Sequence, residues 1–178
     1  AFNRLFPDVI LITSFFEGFT DNCFTEFDKD ILEAPVLSIF YDLIPLLHPK
    51  LYLNSNHAFS EFYLNKINRL KELDGLLSIS SSSKQEAIKY LDFDEEKVFN
   101  ISSACNTDIF NSKKVDNDKK SKVNLDILGN YIFYSGASDP RKNIKGLLDA
   151  YSKLPWNLRL NYKLVFSGKL LDLEVELI

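Results

Sequence analysis

The sequence predicts an α/β protein of two doubly wound parallel-sheet domains, the second only partly present. Three observations carry that expectation. Six short runs rich in β-branched and aromatic residues alternate with longer segments of helical period, the pattern of parallel βαβ units. Several of these runs are almost continuously apolar, as strands covered on both faces are. Between the fourth and fifth runs, residues 111–130 turn to Lys, Asp and Asn, which marks a division of the chain.

Taken in order, DVILIT (8–13) is the first expected strand and PVLSIFY (35–41) the second. Phe59, Phe62, Tyr63, Lys66, Ile67, Leu70 and Leu73 then recur at helical spacing, so one face of a helix meets the sheet there. GLLSIS (75–80) is the third strand, and Ala87, Ile88 and Leu91 mark the helix after it. Ser83 and Glu86, three residues apart, fit a capping box at that helix's start. KVFNIS (97–102) is the fourth strand. The stretch NSKKVDNDKKSKVNLDILGN (111–130) has only a weak apolar cluster at its end, and loops this long are uncommon inside one domain. Residues 113–129 therefore read as a linker joining domains at 1–112 and 130–178. Beyond it come YIFYS (131–135), then a helix with Ile144, Leu147, Leu148, Tyr151 and Leu154 in one stripe, and YKLVFS (162–167). Two strands make a marginal sheet, so residues 130–178 are expected to open a larger domain.

The 178 residues carry a formal net charge of -4, and 46% are hydrophobic. That is ample for a packed core and gives no global attraction to nucleic acid; the lysines are dispersed rather than gathered with aromatics. Cys23 and Cys105 are the two cysteines, without a CxxC pair or Cys/His cluster, so neither a disulfide framework nor a zinc site is encoded. A reducing cytoplasm is the expected compartment. No run approaches the roughly 18 to 20 apolar residues that span a bilayer. The chain has no methionine and is read as part of a longer polypeptide.

In open parallel sheets, ligands gather beyond the carboxyl ends of the strands. The polar residues there are Ser14, Glu17 and Gly18 after the first strand, Asp42 and then His48 after the second, and Ser80 to Ser83 after the third. Ser102, Ser103 and Asn106 follow the fourth. Asp42 is placed either to accept hydrogen bonds from sugar hydroxyls or to satisfy a loop N–H. His48, between prolines, is either a solvated loop residue or a catalytic one. Glu17 and Gly18 form either a ligand-facing turn or a simple one. After the fifth strand comes SGASDPRKN (135–143), in which a helix is expected from Pro140, with Arg141 and Lys142 in its first turn. Two cations are unfavourable there unless an anion joins them, because the helix N-terminus is itself partly positive. The alternatives are that both side chains point into water, or that Asp139 caps the helix and neutralises them. Gly168 and Lys169 follow the sixth strand. Neither GxGxxG nor GxxxxGK[ST] occurs.

YIFYSGASDPRKNIKGLLDAYSKLP followed by YKLVFSGK resembles the opening of the C-terminal domain in retaining glycosyltransferases of the group 1 (family 4) type. SFFEG, YDLIPLLHPKLYL, GLLSISSSSKQEA and ISSACNTDIF are similar to the back half of the N-terminal domain in bacterial mannosyltransferase-like members, which assemble surface polysaccharides. These blocks cover nearly the whole chain in the expected order. The resemblance implies a GT-B fold of two facing Rossmann-like domains, with the acceptor side on 1–112 and a nucleotide-sugar donor on 130–178. It implies that Gly136, Ser138, Arg141 and Lys142 hold the donor diphosphate, with Gly168 close by. Asp42, Glu17, Gly18 and His48 are then acceptor-side candidates.

The same resemblance implies a saccharide or lipid-linked acceptor, mannose from GDP-mannose as the donor sugar, and peripheral membrane association. It also implies that no divalent metal or other cofactor is required. Many relatives carry an arginine where this chain has Ala137, and Arg141 is expected to supply that charge. The family's glycine-rich acceptor loop and its glutamate pair are not found, the pair being expected beyond Ile178, so the chain as it stands is expected to be inactive. A sugar-nucleotide epimerase of the same fold and a non-catalytic, two-lobed sugar-binding protein are the alternatives.

Overall fold

The computed structural model describes residues 2–108, 110, 130–136 and 139–168. The chain divides into two compact units, Ala1–Ser112 and Lys113–Ile178. The expected linker, 113–129, lies outside the described residues.

In the first unit, β1 (Ile10–Ile12), β2 (Val36–Phe40), β3 (Gly75–Ser78) and β4 (Val98–Asn100) form a four-stranded sheet in the order β1-β2-β3-β4. Every pairing is parallel: Ile12 stands beside Ser38, Ser38 beside Leu76, and Leu76 beside Val98. The short helices α1 (Ile44–Leu47) and α2 (Pro49–Tyr52), then the long α3 (His57–Leu70), connect β2 to β3, and α4 (Ser81–Leu91) connects β3 to β4. Right-handed crossovers repeated in one direction lay their helices on one face of a sheet. The core follows that rule. Val36, Phe40, Leu76 and Val98 of the strands are buried with Tyr63, Ile67 and Leu70 of α3 and Ala87 and Leu91 of α4.

The other face departs from the expectation of two covered faces. Leu11, Leu37, Ile39, Leu77 and Phe99 share it by register, and Leu11 and Phe99 are 47% and 54% exposed. The strand pattern is therefore nearly continuous in apolar character because both faces are built for burial, while the helices of the described residues occupy one of them. Gly75 belongs to this face; a Cβ there would come within 3.0 Å of the Leu37 side chain and the Lys97 carbonyl.

α3 starts where Asn56 Oδ1 accepts the Phe59 N–H at 3.0 Å. Its stripe is as expected, and Lys66 sits within it. Lys66 is 5% exposed; its Nζ lies 5.7 Å and 5.4 Å from the Phe15 and Phe62 ring centroids and donates to Thr25 Oγ1 at 2.7 Å and Glu26 Oε1 at 2.6 Å. A long cationic side chain can do both, and here it pins the loop after β1 to the helix.

Asp74, between α3 and β3, ties the start of β2 to the loop before it. Its Oδ2 accepts from Lys29 Nζ and, at 2.7 Å, from the Val36 N–H. Burial alone would raise the carboxyl's pKa, but Lys29 and the Val36 N–H outweigh it and hold it below its ordinary value of 3.8. A carboxyl lowered on folding stabilises the fold fully above its unfolded value, and that contribution disappears as the pH falls through the folded value. Asp74→Asn is therefore expected to cost about 1 kcal/mol at neutral pH, a modest figure because the pair is partly exposed and screened. The difference from the native protein should shrink as the pH falls through the folded-state value, below 3.8. Urea melts at pH 7 and pH 3 check this, and an equal loss at both would contradict it.

In the second unit, β5 (Asn130–Ser135) and β6 (Tyr162–Ser167) pair in parallel, with Ser135 beside Ser167. α5 (Ile144–Ser152) and α6 (Trp156–Asn161) link them. Ile144, 2% exposed, anchors α5, and the Tyr151 hydroxyl donates to the Tyr162 carbonyl at 2.8 Å. Tyr131, Ile132 and Phe133 remain exposed, as apolar strands of a two-stranded sheet must.

The start of α5 corrects the sequence expectation. Pro140–Lys142 form a separate 3-10 turn, and the α-helix begins at Ile144. Asn143 breaks the two apart by adopting a left-handed conformation (φ 50, ψ 47) while its Oδ1 accepts the Gly146 N–H. Asparagine tolerates that conformation better than most residues. Arg141 and Lys142 thus precede the helix rather than occupying its first turn.

Candidate functional site

Two rims of strand ends carry the polar residues. In the first unit, β1 leads to Ser14, whose Oγ donates to Glu17 Oε1 at 2.7 Å. Gly18 turns the chain at φ 103, and a Cβ there would stand 2.7 Å from the Cys23 carbonyl oxygen, so no larger residue fits without moving backbone. Ser14, Glu17, Cys23 and Thr25 border a cleft of about 570 Å³ beside β1. Cys23 is exposed. The neighbouring Asp21 carboxylate raises the pKa of its thiol, which argues against a nucleophilic thiolate.

Asp42 follows β2. Its Oδ1 accepts the Ile44 N–H at 2.9 Å, so of the two roles open to it the loop hydrogen bond is occupied by one oxygen. A carboxylate has about four lone-pair positions, and capacity remains. His48 is exposed, six residues further on, at the junction of α1 and α2. Tyr63, on the buried side of α3, has its hydroxyl buried with no hydrogen-bond partner among the described residues. Burial, reinforced by the Asp42 and Glu86 carboxylates, pushes that hydroxyl's pKa far above the ordinary tyrosine value.

The pair Ser83 and Glu86 is not a capping box. Ser80 is the N-cap of α4, and its Oγ accepts the Ser83 N–H at 3.0 Å. Ser83 Oγ donates to the Tyr41 carbonyl, and Glu86 Oε2 accepts the Leu43 N–H at 3.0 Å. After β4, Ser103 Oγ donates to the Ile79 carbonyl at 3.3 Å, and Asn106 closes a local turn onto Asp108.

In the second unit, Gly136 and Gly168 end the two adjacent parallel strands. Both have positive φ, 154 and 125, and the Gly136 N–H extends the ladder to the Ser167 carbonyl at 3.0 Å. After Gly136 the chain reaches Asp139. Its Oδ1 accepts both the Arg141 N–H at 2.9 Å and Arg141 Nε at 3.0 Å, while Oδ2 accepts Arg141 Nη2 at 3.0 Å. Arg141 is therefore paired in a two-pronged contact with Asp139, an alternative left open by the sequence. Lys142 is exposed and forms no ion pair among the described residues; its backbone N–H bonds the Asp139 carbonyl at 2.8 Å. Gly136, Arg141, Lys142 and Gly168 thus belong to one small unit. Ser138 and Ala137 lie outside the described residues. Sequence reasoning had not separated the two cations. The Asp-x-Arg spacing was the available signal, because an aspartate at the start of a turn reaches the residue two positions on.

Among the described residues no group of His, Cys, Asp and Glu is arranged to hold a metal ion. No helix among them is long and apolar enough to cross a membrane.

No protein-family model matches the chain. Curated proteins of Escherichia coli do resemble it. One serotype-specific mannosyltransferase WbdA is 33% identical over 180 residues, which is 99% of this chain and 22% of that protein. Another WbdA is 35% identical over 172 residues, 95% of this chain and 21% of that protein. The O-antigen chain mannosyltransferase B is 28% identical over 133 residues, 74% of this chain and 34% of that protein. The chain spans about a fifth of the length of the WbdA proteins it matches. It is homologous, over nearly all of its own length, to a segment of bacterial mannosyltransferases.

Proposed function

We propose that this segment comes from a GT-B glycosyltransferase that moves a sugar, mannose by analogy with the named relatives, from a nucleoside diphosphate to a saccharide or lipid-linked acceptor during surface-polysaccharide synthesis. The observation that carries the reading is 33% identity to a mannosyltransferase maintained through 99% of the chain. The two parallel α/β units, with polar residues at their strand ends, support it.

In this reading residues 1–112 handle the acceptor, 113–129 link the domains, and 130–178 open the donor domain. Lys142 and Arg141 neutralise the donor diphosphate, and Gly136 and Gly168 let the backbone approach it. Ser138 is a further donor-side candidate. As the sugar–phosphate bond breaks, the diphosphate gains negative charge. A fixed cation meeting that charge stabilises the transition state more than the ground state, which is what accelerates the step. Arg141 is already bonded to Asp139, so Lys142 supplies most of the response and Arg141 a smaller part. Asp42, with Glu17, Gly18 and His48 on the same unit, orients the acceptor hydroxyls. Transfer proceeds with retention of anomeric configuration and without a required metal.

A panel of nucleoside-diphosphate sugars offered to the full-length protein with a mannosylated oligosaccharide tests the proposal. The expected product is the acceptor lengthened by one or more sugars, with GDP-mannose the most effective donor. Interconversion of sugar epimers without lengthening, or binding without turnover of any donor, would contradict it.

A further inference from the structure

Beyond the last hydrogen bond of the sheet at the β2 exit, where the Ile79 N–H meets the Phe40 carbonyl at 3.1 Å, the chain turns through Tyr41, Asp42, Leu43 and Ile44 without a strand partner. Three side-chain contacts hold that turn. Ser83 Oγ donates to the Tyr41 carbonyl, Glu86 Oε2 accepts the Leu43 N–H at 3.0 Å, and Asp42 Oδ1 accepts the Ile44 N–H at 2.9 Å. The first two bracket Asp42 from α4, a helix that follows the next strand.

Neither contact is needed to start α4. Ser80 already caps it, and Glu86 is three residues past Ser83, where a capping-box acid would stand to reach back to the Ser80 amide. Ser83 is 5% exposed and Leu43 is fully buried, so the Glu86 contact satisfies an amide in a place water does not readily reach. A hydrogen bond to an ionised group is among the stronger kinds. We infer that Ser83 and Glu86 are positioning residues: from one face of α4 they fix the turn that carries Asp42, and so set where its carboxylate meets the acceptor. The inference rests on the acceptor-side reading of Asp42 proposed above.

The test uses the full-length protein with Ser83→Ala, Glu86→Ala and Glu86→Gln. The Gln variant keeps an acceptor oxygen for the Leu43 N–H. Misplacing a reacting group by about 1 Å costs on the order of a hundredfold in rate. Glu86→Ala is therefore expected to lower kcat/KM for the acceptor about ten- to hundredfold, while nucleoside diphosphate affinity stays within about twofold. Ser83→Ala should act in the same direction, and Glu86→Gln should restore most of the loss.

Amide hydrogen exchange supplies a readout that does not depend on turnover. Exchange at Leu43 and Ile44 should quicken in Glu86→Ala while Leu37 to Ile39 stay protected. Unchanged exchange at Ile44 would overturn the inference. So would acceptor and donor parameters falling together, or Glu86→Gln behaving as Glu86→Ala. Should the native protein transfer no sugar while Ile44 still responds to Glu86→Ala, the tether stands and the proposed function falls. Should it transfer normally and neither readout respond, the tether alone falls.

Discussion

Replacing Lys142 by alanine in the full-length protein is expected to weaken nucleoside diphosphate binding roughly ten- to hundredfold, the equivalent of one charge-assisted hydrogen bond of about 1.5 to 3 kcal/mol. The size of the effect follows from what surrounds the two cations. Arg141 already has Asp139 on its guanidinium through Nε and Nη2, so its charge is largely compensated before a ligand arrives. Lys142, exposed beside it, makes no such pair among the described residues. Arg141→Ala should therefore cost less than Lys142→Ala, by about three- to tenfold in affinity. Transfer should fall by more than binding in the Lys142 variant, because the departing diphosphate carries more charge than the bound donor. Titration calorimetry with the nucleoside diphosphate checks the binding half. Equal effects of the two substitutions would mean that Asp139 does not hold Arg141 when the site is filled.

Asp42→Ala is expected to lower acceptor kcat/KM about ten- to hundredfold while leaving donor affinity nearly intact, since a charged hydrogen bond to a sugar hydroxyl is at stake. Alanine also removes the Oδ1 contact to the Ile44 N–H. Asp42→Asn separates the two consequences. The amide oxygen can still accept from Ile44, so the turn survives, but the negative charge is gone. If Asn restores acceptor use, the carboxylate serves the loop; if Asn is as impaired as Ala while stability is kept, it serves the acceptor. Loss of donor binding with the fold preserved would contradict the assignment of the two substrates to separate units. Initial-rate kinetics with acceptor varied at saturating donor provide the comparison.

The strands were the most legible part of the chain. VLSIF and YKLVFS are short, β-branched and aromatic, and nothing in them competes with an extended conformation. All six expected strands occur: β1 to β4 are shorter than expected by a residue or two at one or both ends, β5 begins one residue earlier, and β6 has the expected bounds. α3 was equally clear because its apolar stripe runs through Tyr63, Ile67 and Leu70. What the one-dimensional pattern did not carry was contact between distant positions. Ser83 and Glu86 have the spacing of a local cap, yet their partners, Tyr41 and Leu43, lie some forty residues away. Likewise α6 was missed. Pro155 stopped the preceding stripe, and the same proline then served as the N-cap of a six-residue helix, Trp156–Asn161, too short to show a periodic face. The break at Asn143 escaped for a third reason. A single residue in a left-handed conformation ends one turn and caps the next, and its sequence is compatible with a continuous helix.

Those corrections alter the chemistry expected at the donor side. Two cations in a helix's first turn would have acted together with its amides on one anion. With Asn143 between them and α5, the proposed donor site rests mainly on the side chain of Lys142 and the backbone around two glycines, with Arg141 held by Asp139.

The most direct measurement is a crystal structure of the full-length protein with a nucleoside diphosphate bound. The account predicts a diphosphate oxygen within hydrogen-bond distance of Lys142 Nζ, with the phosphates lying beside Gly136 and Gly168. A diphosphate bound elsewhere, with Lys142 still in solvent, would contradict it.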